Sequence, residues 1–299
     1  IRNFKAVSKV AATGGTFGLF GAIGPGAVVE NFIFESSCSL TVQSPAKNTS
    51  HGMIAGLLYD GTVRDIHSYA PMTFQSKTGF NNAAQFMALI GYVFTENSEV
   101  IIDSVDNFGE IIAENADGNN QGGATSFHIA GIVGFSTATT GTQHFVTISD
   151  CSNEGNMTSA ACRTSGICAA ANRRTKMVNC INKGNQLNSC PGPDKGRIGN
   201  IACNVANVSS MTGCINYGDI ISTTSARTAG IANLANNCEF SHCANYGNVR
   251  SDSKYRGLFW AYNSGYASWS SCVAGGTVGT YNDGKGVVDE YTDDTKVNY

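Results

Sequence analysis

Cys151-Ser-Asn153-Glu-Gly155, Cys180-Ile-Asn182-Lys-Gly184, Cys214-Ile-Asn216-Tyr-Gly218 and Cys243-Ala-Asn245-Tyr-Gly247 are four copies of one phrase, Cys-x-Asn-x-Gly, within a chain of 299 residues. Steps of 29, 34 and 29 residues separate their cysteines. A period of that length belongs to stacked repeats, not to a single globular core. Each phrase has an apolar block upstream: Ala130-Gly-Ile-Val-Gly134, Ser165-Gly-Ile-Cys-Ala169, Gly199-Asn-Ile-Ala-Cys203 and Ala229-Gly-Ile-Ala-Asn233. These blocks are too short and too rich in Gly for helices, and polar turn residues flank them, so they read as short buried strands. One strand–turn–strand–turn unit cannot bury its own apolar face, whereas a stack of units forms a continuous core.

With the template fixed, weaker copies emerge on both sides. Gly257-Leu-Phe259 goes with Cys272-Val-Ala-Gly-Gly276, where Ala274 replaces the Asn. Upstream, Ala88-Leu-Ile-Gly91 goes with Val105-Asp-Asn107-Phe-Gly109, Gly56-Leu-Leu58 with Ile66-His-Ser68-Tyr-Ala70, and Gly18-Leu-Phe-Gly21 with Phe34-Glu-Ser36-Ser-Cys38. About eight rungs of an all-β solenoid then account for most of the chain. A single domain over 1–299 is expected, with irregular rungs over 1–110, regular repeats over 130–280 and a cap over 281–299. Three places before the ladder residue, Val63, Ile102, Ile148, Met177, Met211, Phe240 and Trp269 are all apolar, so that column belongs to the core. Six places after it, Leu40, Met72, Ile111, Met157, Ile220, Val249 and Val278 form a second core column. Gln186 interrupts this one and predicts a distorted rung beside Cys190-Pro-Gly-Pro193, because prolines cannot sit in ladder strands.

Composition excludes several classes. Charged residues make up 14% and the formal net charge is −3, without the basic stripe of a nucleic-acid binder. Apolar residues reach 42%, too many for a disordered chain, and no run is long enough to span a membrane. Ile1 opens the sequence without a signal-like segment, and any targeting peptide or anchor is expected to lie outside it. Of eleven cysteines, Cys151, Cys180, Cys214, Cys243 and Cys272 share one place in the repeat. Side chains at equivalent places on parallel strands point the same way, so these are expected to form a buried ladder of thiols behaving as small apolar residues. Cys162 and Cys190 follow their ladder cysteines at similar distances and are candidates for a disulfide; Cys168 and Cys203 are a weaker pair. Without C-x-x-C or H-x-x-x-H, zinc has no ligand pattern.

Asn107, Asn153, Asn182, Asn216 and Asn245 invite a reading as a row of ligand amides. The structural reading is stronger: Asn tolerates left-handed turns, stacked amides bond one another, and the Gly two places on bends without a Cβ penalty. Between Asn and Gly stand Tyr69, Phe108, Tyr217 and Tyr246, expected to face outward as a binding platform or as a shield for the sheet edge. The connections after the second core column are longest early in the chain, and in repeat proteins such insertions gather on one face. The loop from Ala113 to Gly123, carrying Asn119 and Asn120, is therefore a further candidate for binding and is expected to be mobile. Asp65, Asp103 and Asp150 stand at or beside the place before the ladder residue in three successive rungs. They could bind Ca²⁺, or supply the acid and base of a polysaccharide lyase or glycosidase; as a solvated face they would do neither.

The alternation of Gly-Ile-Val-Gly and Gly-Ile-Ala with Asp-Cys-Ser-Asn-Glu-Gly-Asn, Asn-Cys-Ile-Asn-Lys-Gly-Asn and His-Cys-Ala-Asn-Tyr-Gly-Asn resembles the GLUG-type repeat of secreted and surface-attached, adhesin-like proteins. The resemblance covers roughly 130–280 and is loose before that. It implies a right-handed parallel β-helix on or outside a cell, with adhesive or structural work and no catalytic residues to carry over. A surface glycan, a protein ligand or neighbouring subunits of a surface assembly are the partners expected, with no resident cofactor.

Overall fold

The computed structural model describes residues 1–9, 13–43, 48–76, 85–115, 127–160, 163–190, 196–224, 226–253, 255–263 and 265–279. Among them every regular element is a β-strand, and every strand pairing with a stated register is parallel. Nine strands form one sheet in chain order, from Lys5–Ser8 through Ser39–Val42, Met72–Ser76, Ile111–Asn115, Met157–Ser159, Gln186–Asn188, Ile220–Ser222 and Val249–Arg250 to Val278–Gly279. The remaining strands make up a second, larger sheet. The expected cap over 281–299 lies outside the described residues.

Both predicted core columns exist. Val63, Ile102, Ile148, Met177, Met211, Phe240 and Trp269 stand in unbroken register, each opposite the next. So do Leu40, Met72, Ile111, Met157, Gln186, Ile220, Val249 and Val278, with Ala6 added at the front. The strand of Gln186 is not distorted: it pairs regularly with both neighbours, although neither amide atom of this buried side chain has a hydrogen-bond partner among the described residues. Apolar burial along these columns is the main source of cohesion, and layer-to-layer contact supplies it because one layer has no interior of its own.

Three alignments shift. Phe32, not Phe34, stands opposite Ile66, and Phe34 falls opposite Ser68, in the column of the asparagines. A tight turn from Glu35 to Cys38, closed by the Cys38 N–H donating to the Glu35 carbonyl at 2.9 Å, adds two residues there. In the second layer Ala55, not Leu58, faces Ile90, because an irregularity between Gly52 and Ala55 lengthens the strand Thr49–Tyr59. Near the end Trp260 faces Ala232, one place later than expected.

The asparagine column is internal. Asn107, Asn153, Asn182, Asn216 and Asn245 are fully buried, and each of the first four donates from Nδ2 to Oδ1 of the next at 2.7–2.9 Å. Every Nδ2 also donates to the carbonyl of the Gly two places on, at 2.8–3.0 Å. These amides are therefore not ligand groups. The turn chemistry differs from expectation as well, since neither these asparagines nor their glycines take a left-handed φ. Gly155, Gly184, Gly218 and Gly247 are required because a Cβ on each would run into the carbonyl oxygen of the matching Gly one layer earlier. A left-handed residue lies just before the ladder place in each layer: Asn31, Asp65, Ser104, Asp150, Asn179, Gly213, His242 and Ser271 all have φ between 49° and 65°.

Candidate functional site

The residue between Asn and Gly is one of two places in the repeated phrase that face out. Its column runs Tyr69, Phe108, Glu154, Lys183, Tyr217, Tyr246, since the backbone N–H of each donates to the carbonyl at the asparagine place of the layer before, which is Phe34 for Tyr69, Ser68 for Phe108 and an Asn for the rest. Tyr69, Tyr217 and Tyr246 are 47%, 50% and 47% exposed. The rings of Tyr69 and Phe108 stack at 4.7 Å and 11°, and those of Tyr217 and Tyr246 at 5.4 Å and 19°. Between the two aromatic pairs, Lys183 Nζ donates to Glu154 Oε1 at 2.6 Å. That hydrogen bond and the carboxylate charge hold the lysine ammonium above its ordinary pKa. An ion pair this open to water adds little to stability. The strip thus alternates flat apolar patches with a zwitterionic break, and Glu154 and Lys183 occupy the same variable place in the phrase as the aromatics.

Beside it runs a second outward column in which His67 pairs with Asp106 at 2.8 Å. Asp106 also accepts from the backbone N–H and the hydroxyl of Ser152, at 3.0 and 2.6 Å. On the far side of the glycines a ladder that sequence reasoning missed crosses the turns: Asn156, Asn185, Asp219 and Asn248 each accept, through a side-chain oxygen, the backbone N–H of the next layer at 2.8–3.1 Å. The Asn or Asp following Gly in the phrase was its signal.

Asp65, Asp103 and Asp150 stand in three successive layers, and the Arg64 guanidinium feels the charges of the first two. Asp65 and Asp150 occupy the left-handed column two layers apart, about 10 Å at the spacing of parallel strands. That backbone conformation suits short polar side chains and accounts for both aspartates without a catalytic role. Asp150 accepts from Asn179 Nδ2 at 3.1 Å, and Asp103, one place earlier in the repeat, accepts from Ser149 Oγ at 2.5 Å. Among the described residues no group of three or more His, Cys, Asp and Glu is placed to hold a metal ion. Asn119, Asn120 and Cys162 lie outside the described residues, so the loop site and the Cys162–Cys190 pair are not placed.

Cys151, Cys180, Cys214, Cys243 and Cys272 form the expected buried column, each Sγ donating to the carbonyl two places earlier at 3.1–3.7 Å. Burial, reinforced by the adjoining Cys180, pushes the Cys151 thiol well above its ordinary range. Burial likewise pushes Cys168 up and Cys203 up to about 12, and these two thiols are not bridged. Thiols held in the protonated form are poor nucleophiles and poor metal ligands. His51 is also internal: its Nδ1 lies 3.0 Å from Ser8 Oγ and its Nε2 2.9 Å from Thr49 Oγ1, all three fully buried. No substrate can reach this Ser–His contact, so it is a core hydrogen-bond chain and not a nucleophile with its base.

Among the described residues no helix is long and apolar enough to cross a membrane. No family model matches the chain, and neither a curated protein nor a solved structure matches it.

Proposed function

We propose that the chain is a single right-handed parallel β-helix of about eight rungs, similar to GLUG-type repeats, that works as an adhesion or structural binding module on or outside a cell. The observation that carries this reading is the outward strip. In a phrase whose Cys, Asn and Gly are buried or sterically fixed, the outward place between Asn and Gly carries stacked, half-exposed aromatics in two separate pairs. Exposed aromatics are costly to leave in water and are the usual anchors of recognition surfaces. Flat rings in line along a rigid stack suit the apolar faces of successive sugar units or an extended protein segment. Among the described residues no observation favours the alternative of a polysaccharide lyase or glycosidase, whose two carboxylates must converge on one bond.

Immobilised glycans and host-type cell surfaces, probed with the wild-type chain and with the double variant Tyr217→Ser/Tyr246→Ser, test the reading. Unchanged melting with at least tenfold weaker binding is the expected outcome. Equal binding by both proteins would remove the strip from the function.

A further inference from the structure

A groove of about 520 Å³ opens on a different part of the layers from the aromatic strip. The strand Gln85–Thr95 turns between Phe86 and Tyr92, whose rings lie 5.4 Å apart, and at Gly91 a Cβ would meet the backbone N–H of His51 at 2.7 Å. In the next layer Phe135 stacks on Tyr92 at 5.5 Å and 10°, and it closes on Phe86 at 5.0 Å. His128 meets Phe86 edge-on at 5.0 Å, and Arg163 stands opposite His128 in the following strand. The groove is thus lined mainly by aromatic carbon, with polar atoms from Asn48, Ser50, His128 and Arg163 along one wall.

We propose that this groove binds a small organic carboxylate with an apolar body, its carboxylate held between Arg163 and the Nδ1–H of His128 and its body seated among Phe86, Tyr92 and Phe135. Three observations converge. The volume suits a small molecule and is far below what a folded partner needs. His128 is only 2% exposed, yet its Nδ1 has no hydrogen-bond partner among the described residues. A buried polar atom left in that state is destabilising, and a ligand oxygen would satisfy it. Arg163, which lines the groove, has two successors in register, Arg197 and Arg227, so guanidinium groups follow one another in the layers beyond it. A guanidinium matches the planar fork of a carboxylate, and a mostly apolar lining favours one negative charge over several.

Burial, with the charges of Arg163 and Arg197, holds the His128 pKa well below its ordinary value. The imidazole is therefore neutral near pH 7. In the tautomer with its proton on Nδ1 it donates to the carboxylate without adding a second buried cation.

The site does not depend on the aromatic strip, and the two proposals fail separately. Calorimetric titration with 2-naphthoate, and with 2-naphthalenemethanol as its uncharged counterpart, tests it on the full chain. Expected is saturable one-to-one binding of naphthoate, at least tenfold weaker for the alcohol and for Arg163→Gln, and severalfold weaker for His128→Phe, which keeps an aromatic ring but no nitrogen. Tyr217→Ser/Tyr246→Ser should bind naphthoate like the wild type. Should Arg163→Gln fail to fold, the alcohol and His128→Phe carry the decision. Absence of saturable naphthoate binding, equal affinity for acid and alcohol, or unaltered affinity in a folded Arg163→Gln would each overturn the proposal.

Discussion

From Asn107 to Asn245 five side-chain amides stand in one internal column, whereas the two layers before them place Ser68 and Phe34 at the same point. The later layers are held in part by directional contacts that only one residue type can make: an amide that donates both forward and to its own turn, and a glycine pressed against a carbonyl. The earlier layers rely more on bulk. The interior of Thr49–Tyr59 holds Met53, Ile54 and Leu58, where later layers bury Ala169, Ala202 and Ala232 beside the Ile of each apolar block. Apolar packing accepts any side chain of suitable volume, so a layer built that way can lose its sequence signature and keep its register.

The largest contrast between the halves is expected in acid. Burial holds the pKa of His51, in the early layers, down at about 4. The folded state therefore takes up the proton less readily than the unfolded chain, whose histidine titrates near 6.5. The stabilising contribution is complete above pH 6.5 and is lost as pH falls toward 4, by about 3 kcal/mol. His128, in the layer of Asn153, shifts in the same direction and narrows the contrast without removing it. Denaturant melts of wild type and His51→Leu from pH 7.5 to 4.5 should show a flatter pH slope in the variant, even though it is less stable throughout. Parallel slopes would mean that acid acts elsewhere.

A smaller difference is expected from the polar column itself. Asn182→Ala leaves Gly184 O, a donor of Asn153 and an acceptor of Asn216 without their bonds, a loss of about 2 kcal/mol. Ser68→Ala, at the same place in an early layer, removes a hydroxyl that has no partner among the described residues and should change stability by less than about 0.5 kcal/mol. Similar melting shifts for the pair would erase the distinction between the halves.

Smallest and opposite in sign is Gln186→Met. Its neighbours in register are Met157 and Ile220, and its amide is unsatisfied, so an apolar side chain of like volume should stabilise by about 1 kcal/mol. Destabilisation would reveal a partner for the amide.

How much of this was legible in the sequence follows from the same division. The two core columns and the internal asparagines could be aligned by counting from Cys-x-Asn-x-Gly, because directional contacts hold that phrase constant. Counting failed where extra residues enter without leaving a mark: the turn at Glu35 to Cys38 and the irregularity between Gly52 and Ala55. The left-handed column was misplaced because Asn and Gly were credited with the bend, while the residue before the cysteine, variously Asp, Ser, Asn, Gly or His, makes it. The groove escaped notice although a signal existed. His128, Arg163, Arg197 and Arg227 each stand four places before the Ile of an apolar block, an alignment that emerges only when outward places are read as carefully as inward ones.

One property of the asparagine column bears on how such a chain can change over evolutionary time. Each inner amide hands a hydrogen bond forward and receives one from behind, so the column has a direction and two ends: the Oδ1 of Asn107, which has no partner among the described residues, and the Nδ2 of Asn245, which faces Ala274 in place of a further amide. Duplicating one 29-residue unit within it, such as Cys151 to Asn179, would add one donor and one acceptor that meet each other, and both ends would stay as they were. Growth or shortening by whole units is neutral for the buried hydrogen bonds, and so is extra length in the connections, since successive amides bond across steps of 46, 29, 34 and 29 residues. Only a change inside the short phrase that carries the Asn and its Gly would take an amide out of line: the column fixes the phrase and leaves the length between phrases open.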